Sequence, residues 1–106
     1  MNKLILTLAC FGLCQTSDAQ VPAAQTVRIG MIGLDTSHVA GFVGIFNSAK
    51  ATGDLVGFKV VAGYPGGTDL PASRDRVARF TEQTRAKGVE IVDSIPALLA
   101  KVDVVM

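Results

Sequence analysis

Residues 27–38, Val-Arg-Ile-Gly-Met-Ile-Gly-Leu-Asp-Thr-Ser-His, constrain the fold of this 106-residue chain more than any other segment. An apolar run breaks at Gly33, a polar turn follows, and from His38 the apolar residues recur with a different period. This order is typical of a short buried strand, a tight turn and the start of a helix. In α/β proteins such a turn commonly holds a nucleotide, because the helix N-terminus offers free N–H groups and partial positive charge to a phosphate.

The rest of the chain continues the alternation of strands and helices. We predict helices at 38–49 and 74–87, a brief helix after Ser94, and strands at 27–32, 58–62, 89–92 and from 102 onward. Alternation of this kind indicates parallel strands joined by right-handed crossovers. The expected fold class is therefore α/β, a partial doubly wound parallel sheet of Rossmann-like type that is truncated at its fourth strand.

The helices carry recognisable caps and apolar faces. Caps are expected at Thr36 or Ser37, at Ser73 and at Ser94, with Gly88 ending the second helix and Pro96 in the first turn of the third. The buried sides are expected to comprise Val39, Phe42, Val43 and Phe46 on the first helix, and Val77, Phe80 and Thr84 on the second.

The N-terminus has the features of a secretory signal peptide, predicted at residues 1–19. Lys3 is a minimal basic region, Leu4–Leu13 is an apolar core, and small residues flank a cleavage point after Ala19. We therefore expect export to the periplasm or beyond, with residues 20–26 as a linker. The alternative for the apolar stretch is a buried N-terminal helix.

Charge and composition exclude some partners. The formal net charge is only +1, which gives no electrostatic case for a nucleic-acid or membrane partner. Aromatic residues are few and there is no Trp, so a sugar-stacking surface is not indicated either. Both cysteines, Cys10 and Cys14, fall in the predicted signal peptide. Because the chain stops within the apolar run Val102–Met106, we expect it to be the front part of a longer protein.

Two segments resemble a known family. The opening Val-Arg-Ile-Gly-Met-Ile-Gly and the later Gly-Val-Glu-Ile-Val-Asp-Ser-Ile-Pro-Ala-Leu-Leu-Ala-Lys-Val-Asp-Val-Val are similar to the glucose–fructose oxidoreductase/inositol dehydrogenase (Gfo/Idh/MocA) family. The resemblance covers residues 27–106 and looks like a divergent branch. It implies that these residues are the N-terminal part of a dinucleotide-binding Rossmann domain, with NAD or NADP as cofactor.

The resemblance also implies an activity. Members of the family usually transfer a hydride between a nicotinamide and a carbohydrate or cyclitol hydroxyl, and their second domain often mediates oligomerisation. The family's catalytic Glu-Lys-Pro motif would follow Met106, so no catalytic residue and no metal ligand is assigned here. The expected function is that of the N-terminal fragment of an exported NAD(P)-dependent oxidoreductase, with a carbohydrate-like substrate.

The candidate cofactor-binding residues lie at the ends of the first two strands: Gly33, Leu34, Asp35, Thr36, Ser37, His38 and Tyr64. In the usual Gly-x-Gly-x-x-Gly turn the glycines allow a tight bend and close approach of the phosphates. Here Asp35 and His38 occupy the second and third glycine positions. The Thr36 and Ser37 hydroxyls and backbone N–H groups are expected to contact the phosphates instead.

The second strand also departs from the usual pattern. It ends in Gly63-Tyr64, where an acid normally accepts hydrogen bonds from the adenosine ribose, and the next acid is Asp69. Tyr64 can stack on an adenine, whereas Arg74 and Arg76 are more typical of helix surface than of a 2′-phosphate site.

Two other functions stay open. A secreted Rossmann-like protein that has lost dinucleotide binding, and binds a carbohydrate or a partner, agrees with the missing glycines. A flavodoxin-like domain that holds a phosphate in the loop 35–37 is the third possibility. Asp35 and His38 are spaced like an acid–base pair or metal ligands, but two ligands do not make a metal site, and a cap with a histidine in the first helical turn is the simpler interpretation.

Overall fold

The computed structural model describes residues 25–106. The predicted signal peptide and residues 20–24 of the predicted linker lie outside the described residues. The elements are β1 (Val27–Ile32), α1 (Ser37–Phe46), a 3₁₀ turn (Gly53–Leu55), β2 (Phe58–Tyr64), α2 (Pro71–Ala86), β3 (Glu90–Ile91), α3 (Ile95–Leu99) and β4 (Val104–Val105).

The four strands form one parallel sheet in the order β3-β2-β1-β4. Strand and helix alternate along the chain, as expected for right-handed crossovers. The predicted α/β class with a partial Rossmann-like sheet is confirmed. Strand β1 lies between β2 and β4, so it is buried among the described elements on both edges.

The core lies on both faces of β1. On one face, alternate residues Ile29 and Met31 pack with the buried Val39, Val43 and Val60 in the cluster beneath α1. Helix α2 lies beside α1, where the ammonium group of Lys87 donates a hydrogen bond to the carbonyl oxygen of Ala40 (3.1 Å). This face therefore carries both α1 and α2.

The opposite face of the sheet carries α3. A second cluster there contains the buried Ala62, Val92 and Leu98. A Cβ at Gly30 would lie 3.0 Å from Val102 and 3.1 Å from Leu98, which is tighter than most packed contacts. The missing side chain of Gly30 therefore allows α3 and the following segment to pack closely on the centre of β1.

A bulge in β2 is bridged by a side chain from α1. Ile29 pairs with Val60 but Gly30 pairs with Ala62, so Val61 is the extra residue. The Asn47 amide, at the C-cap of α1, donates from Nδ2 to the Val60 carbonyl oxygen (2.9 Å) and accepts at Oδ1 from the Val60 N–H (2.8 Å). One side chain thus satisfies both backbone groups of a buried strand residue.

Several predicted boundaries were wrong by a few residues. Helix α1 ends at Phe46, before the predicted 49, β2 continues through Tyr64, and β3 and β4 each have only two residues. Helix α2 begins at Pro71, so the predicted cap at Ser73 lies inside the helix. Proline suits a first helical turn because the N–H that it lacks would have no partner within the helix there.

The predicted caps and buried faces have mixed outcomes. Ser94 accepts a hydrogen bond from the Ala97 N–H (3.2 Å) and Gly88 adopts a φ of +84°, which confirms both ends. Thr36 stands at the N-cap of α1, which confirms the predicted position, but its side chain makes no capping hydrogen bond, so the predicted contact with a first-turn N–H was wrong. Phe42 is 40% exposed and does not belong to the buried side of α1 as predicted, whereas Phe80 and Thr84 of α2 are buried as predicted.

Replacing Asn47 with Ala leaves the Val60 N–H and C=O without their partner in a part-buried position. We expect Asn47→Ala to lower the free energy of unfolding by about 1–3 kcal/mol, the usual cost of unsatisfied buried polar groups. Urea denaturation followed by circular dichroism measures it. Ser48→Ala, which removes only an exposed turn bond to the Lys50 N–H, is the control. Equal stabilities of the two variants would contradict the role of Asn47.

An ion pair joins Arg28 of β1 to Asp103, the residue just before β4. The Asp103 carboxylate accepts from Arg28 Nη2 (2.8 Å), Arg28 Nε (3.0 Å) and the Arg28 backbone N–H (2.8 Å). Hydrogen bonds from the Arg28 guanidinium and backbone N–H lower the pKa of Asp103 to about 2. The hydrogen bond to Asp103 and the negative charge of its carboxylate in turn raise the pKa of Arg28.

Because the folded pKa of Asp103 lies below its ordinary value of 3.8, the ionised carboxylate stabilises the fold above about pH 4. This contribution is lost as the pH falls toward 2. We expect Asp103→Asn to unfold at a lower temperature than the parent chain at pH 7 and at nearly the same temperature near pH 2. Thermal melts across this range measure the difference. A difference that does not depend on pH would contradict the pKa assignment.

Candidate functional site at the carboxyl edge of the sheet

The turn between β1 and α1, residues 33–36, lies at the carboxyl edge of the sheet, where the parallel strands end. The chain passes from β1 outward to β2 and β3, and then returns across the sheet to β4 on the other side of β1. The connection after β1 thus leads to one side of this strand, and the connection after β3 leads to its other side. In open α/β sheets a crevice forms outside the strand ends at such a switch point, and ligands bind there.

Gly33 makes the bend that takes the chain out of β1. Its φ of +85° is one that residues with a Cβ rarely adopt. The Gly33 N–H donates to the Tyr64 carbonyl oxygen (2.9 Å), and a Cβ at Gly33 would lie 3.4 Å from the Gly66 carbonyl oxygen. The first turn therefore touches the loop that follows β2.

Leu34 has a structural role that the sequence analysis did not anticipate. Its side chain is completely buried and belongs to the core cluster beneath α1. It also covers Gly63, where a Cβ would lie 3.3 Å from Leu34 Cδ1. Only the backbone of Leu34 therefore remains for contact with a ligand.

The N-terminus of α1 has no protein cap. Thr36 makes no side-chain capping bond and the first turn contains no acidic residue. Ser37 and His38 are exposed, and their N–H groups have no partner within the helix. With the helix dipole adding partial positive charge, this end can bind an anion such as a phosphate group.

Asp35 opposes an anion at the same turn. The side chain is half-buried, and its Oδ1 lies 3.9 Å from the position of a Cβ on Gly33, so the carboxylate folds back over the bend. The His38 ring lies against Phe42, with 6.5 Å between ring centroids. Residues 25–106 contain no group of three or more His, Cys, Asp or Glu side chains placed to hold a metal ion.

Tyr64, the candidate for adenine stacking, lies at the end of β2 rather than in the loop. It is half-buried and packs against the cluster on the α3 face. A Cβ on Gly66 would overlap the tyrosine ring, so the ring lies directly against the Gly66 backbone. Part of the ring surface is thus already used by the loop after β2.

An open depression of about 580 Å³ adjoins this loop. One wall is the loop 65–69 and the other is the first three turns of α2. Its lining comprises Pro65, Gly67, Thr68, Asp69, Arg74, Val77, Ala78, Thr81 and Glu82. The sequence predicts only a connection for this loop and helix surface for Arg74. The one sequence signal for a depression is the run Pro65-Gly66-Gly67, whose small residues leave room beside α2.

The chain matches no protein-family model, no curated protein and no solved structure. Among the helices of residues 25–106, none has the length and apolar character needed to cross a membrane.

The contact between Tyr64 and Gly66 can be tested with the chain's own fluorescence, because Tyr64 is its only tyrosine and there is no Trp. Gly66→Ala must displace the ring. We expect greater quenching of tyrosine emission by acrylamide and a loss of about 1–3 kcal/mol in stability, as for other overpacked sites. In the control Gly67→Ala, the new Cβ meets its nearest atom at 3.4 Å, and little change is expected. Equal quenching in both variants would refute the contact.

Proposed function

We propose that this chain supplies the dinucleotide-binding part of an exported NAD(P)-dependent oxidoreductase that acts on a sugar or cyclitol hydroxyl. The observation that carries the proposal is the uncapped N-terminus of α1, which follows the glycine bend at the switch point of a parallel β3-β2-β1-β4 sheet. This is the place where Rossmann-type sheets bind the pyrophosphate of a dinucleotide.

The residues at the turn define how the cofactor would be held. The backbone N–H groups of Ser37 and His38 would donate to the pyrophosphate, with the hydroxyls of Thr36 and Ser37 beside them. The glycine at 33 keeps the bend tight enough for close approach. The adenosine half would extend toward β2 and the nicotinamide half toward β4. When bound, the nicotinamide would supply hydride transfer to or from the substrate hydroxyl.

The remaining parts of the proposal rest on the sequence. Export follows from the predicted signal peptide, and a carbohydrate-like substrate follows from the family resemblance. An exported enzyme meets little free dinucleotide, so the cofactor would be held tightly. No residue among 25–106 is assigned a role in the chemistry on the substrate.

A second function is favoured by Asp35. A carboxylate folded over the bend repels a pyrophosphate, and His38 replaces the third glycine of the usual turn. A secreted Rossmann-like protein that binds a carbohydrate or a partner without a dinucleotide would tolerate both residues.

Two glycines with nearly the same backbone conformation give a matched test. Gly33 and Gly57 have φ values of +85° and +88°, but Gly57 lies just before β2, at the opposite edge of the sheet. Alanine at either position should cost about 1–2 kcal/mol of stability because of its Cβ. Only Gly33→Ala should weaken binding of NADH or NADPH in a calorimetric titration, by about tenfold or more, equivalent to about 1.4 kcal/mol.

Two outcomes would reject the dinucleotide site. Equal losses of affinity in the two alanine variants would place binding away from the turn. Failure of the parent protein to bind either dinucleotide, together with thermal stabilisation by sugars, would favour the second function.

A further inference from the structure

We infer that the outer side of helix α1 is a dimer interface, on which a second copy of this chain packs. The inference does not depend on the binding of a dinucleotide. It concerns a surface, called the α1 face, to which α1, the 3₁₀ turn with the residue after it, and the first residue of β2 contribute. Five exposed apolar residues form the α1 face: Phe42, Ile45, Leu55, Val56 and Phe58.

Ring contacts make the α1 face continuous. The centroids of the Phe42 and Phe46 rings lie 6.5 Å apart, and the Phe46 ring lies 6.2 Å from that of Phe58. Phe46 is partly buried against the core beneath α1, so its ring joins the helix to the start of β2. Ile45 follows Phe42 by three residues and therefore lies on the same side of the helix.

Gly41 lies beside Phe42 on this side of α1. Outside its own helix backbone, a Cβ at Gly41 would meet no heavy atom of residues 25–106 within 4 Å. Glycine inside a helix is less stable than alanine, and no contact among these residues requires it here. A second molecule would account for it, because a position without a side chain lets another backbone come close to α1.

The charges favour a second copy as the partner. Helix α1 contains no Asp, Glu, Lys or Arg, whereas the neighbouring α2 exposes four arginines. The connection from α1 to β2 adds one cation, Lys50, and one anion, Asp54. A face without net charge does not repel its own copy, and the centres of protein interfaces are poor in charged residues.

The exposed area matches what a dimer needs. Taking about 150–250 Å² for a large apolar side chain, exposed fractions of 36–60% leave roughly 400 Å² of apolar surface on the α1 face. A standard interface buries about 800 Å² on each partner, slightly more than half of it apolar. A two-fold axis, which brings the same face of both copies together, therefore suffices to build an interface of ordinary size.

Sedimentation velocity of the purified protein over about 1–300 μM tests the inference. We expect a reversible equilibrium between monomer and dimer. Ile45→Lys places a charge on the α1 face and should raise the dissociation constant about tenfold or more. Leu99→Lys is the matched control at the end of α3, since Leu99 is 55% exposed and Ile45 48%. It should leave the dissociation constant unchanged.

Gly41→Arg is a second variant, chosen because it should keep the fold. The space around Gly41 accepts a side chain, and arginine favours a helix more than glycine does. At a concentration where the parent protein is monomeric, we expect this variant to melt at a temperature no lower than the parent. Its dimer should nevertheless be weaker by about tenfold or more.

Two results would overturn the inference. One is a parent protein that remains monomeric over the whole concentration range. The other is a dimer that neither Ile45→Lys nor Gly41→Arg weakens, and if Leu99→Lys dissociates that dimer, its interface lies on the α3 side of the sheet. Neither result bears on the dinucleotide site, which is tested separately by titration.

Discussion

The left-handed bend at Gly33 is the constraint on which the rest of the carboxyl edge depends. With a φ of +85° the chain leaves β1 and immediately buries Leu34 beneath α1. Leu34 then covers Gly63 of β2, and the Gly33 N–H binds the Tyr64 carbonyl oxygen. One bend thus fixes where α1 begins and where the loop after β2 lies. A residue with a Cβ at this position would disturb both.

Electrostatics at this edge is a balance between a helix end and two carboxylates. The free N–H groups at the start of α1 favour an anion, whereas Asp35 lies over the bend and opposes one. Asp69 adds negative charge on the side of β2. Because Asp35 opposes an anion at this turn, a protein that has lost dinucleotide binding is the main alternative to the proposed function.

The sequence was sufficient for features that local chemistry determines. The alternation of strand and helix patterns along the sequence predicted the parallel α/β sheet. The predicted cap of α3 at Ser94 and the predicted end of α2 at Gly88 were confirmed. Features that depend on distant contacts were missed. The Asn47 side chain completes the hydrogen bonding of a bulged strand thirteen residues away, and Leu34 is buried because a glycine of another strand leaves room. The depression beside α2 arises where a loop and a helix meet, which no local pattern in the sequence reports.

The most direct test of the account is an NMR titration of the ¹⁵N-labelled protein with NADH, following the backbone amides of Gly33, Ser37 and His38. If α1 binds the pyrophosphate, the Ser37 and His38 resonances move with the ligand concentration and saturate. Amides of the loop 65–69 move with them, while those of the 3₁₀ turn Gly53–Leu55 at the opposite edge do not. Unchanged Ser37 and His38 resonances at saturating NADH would contradict a dinucleotide site at this turn.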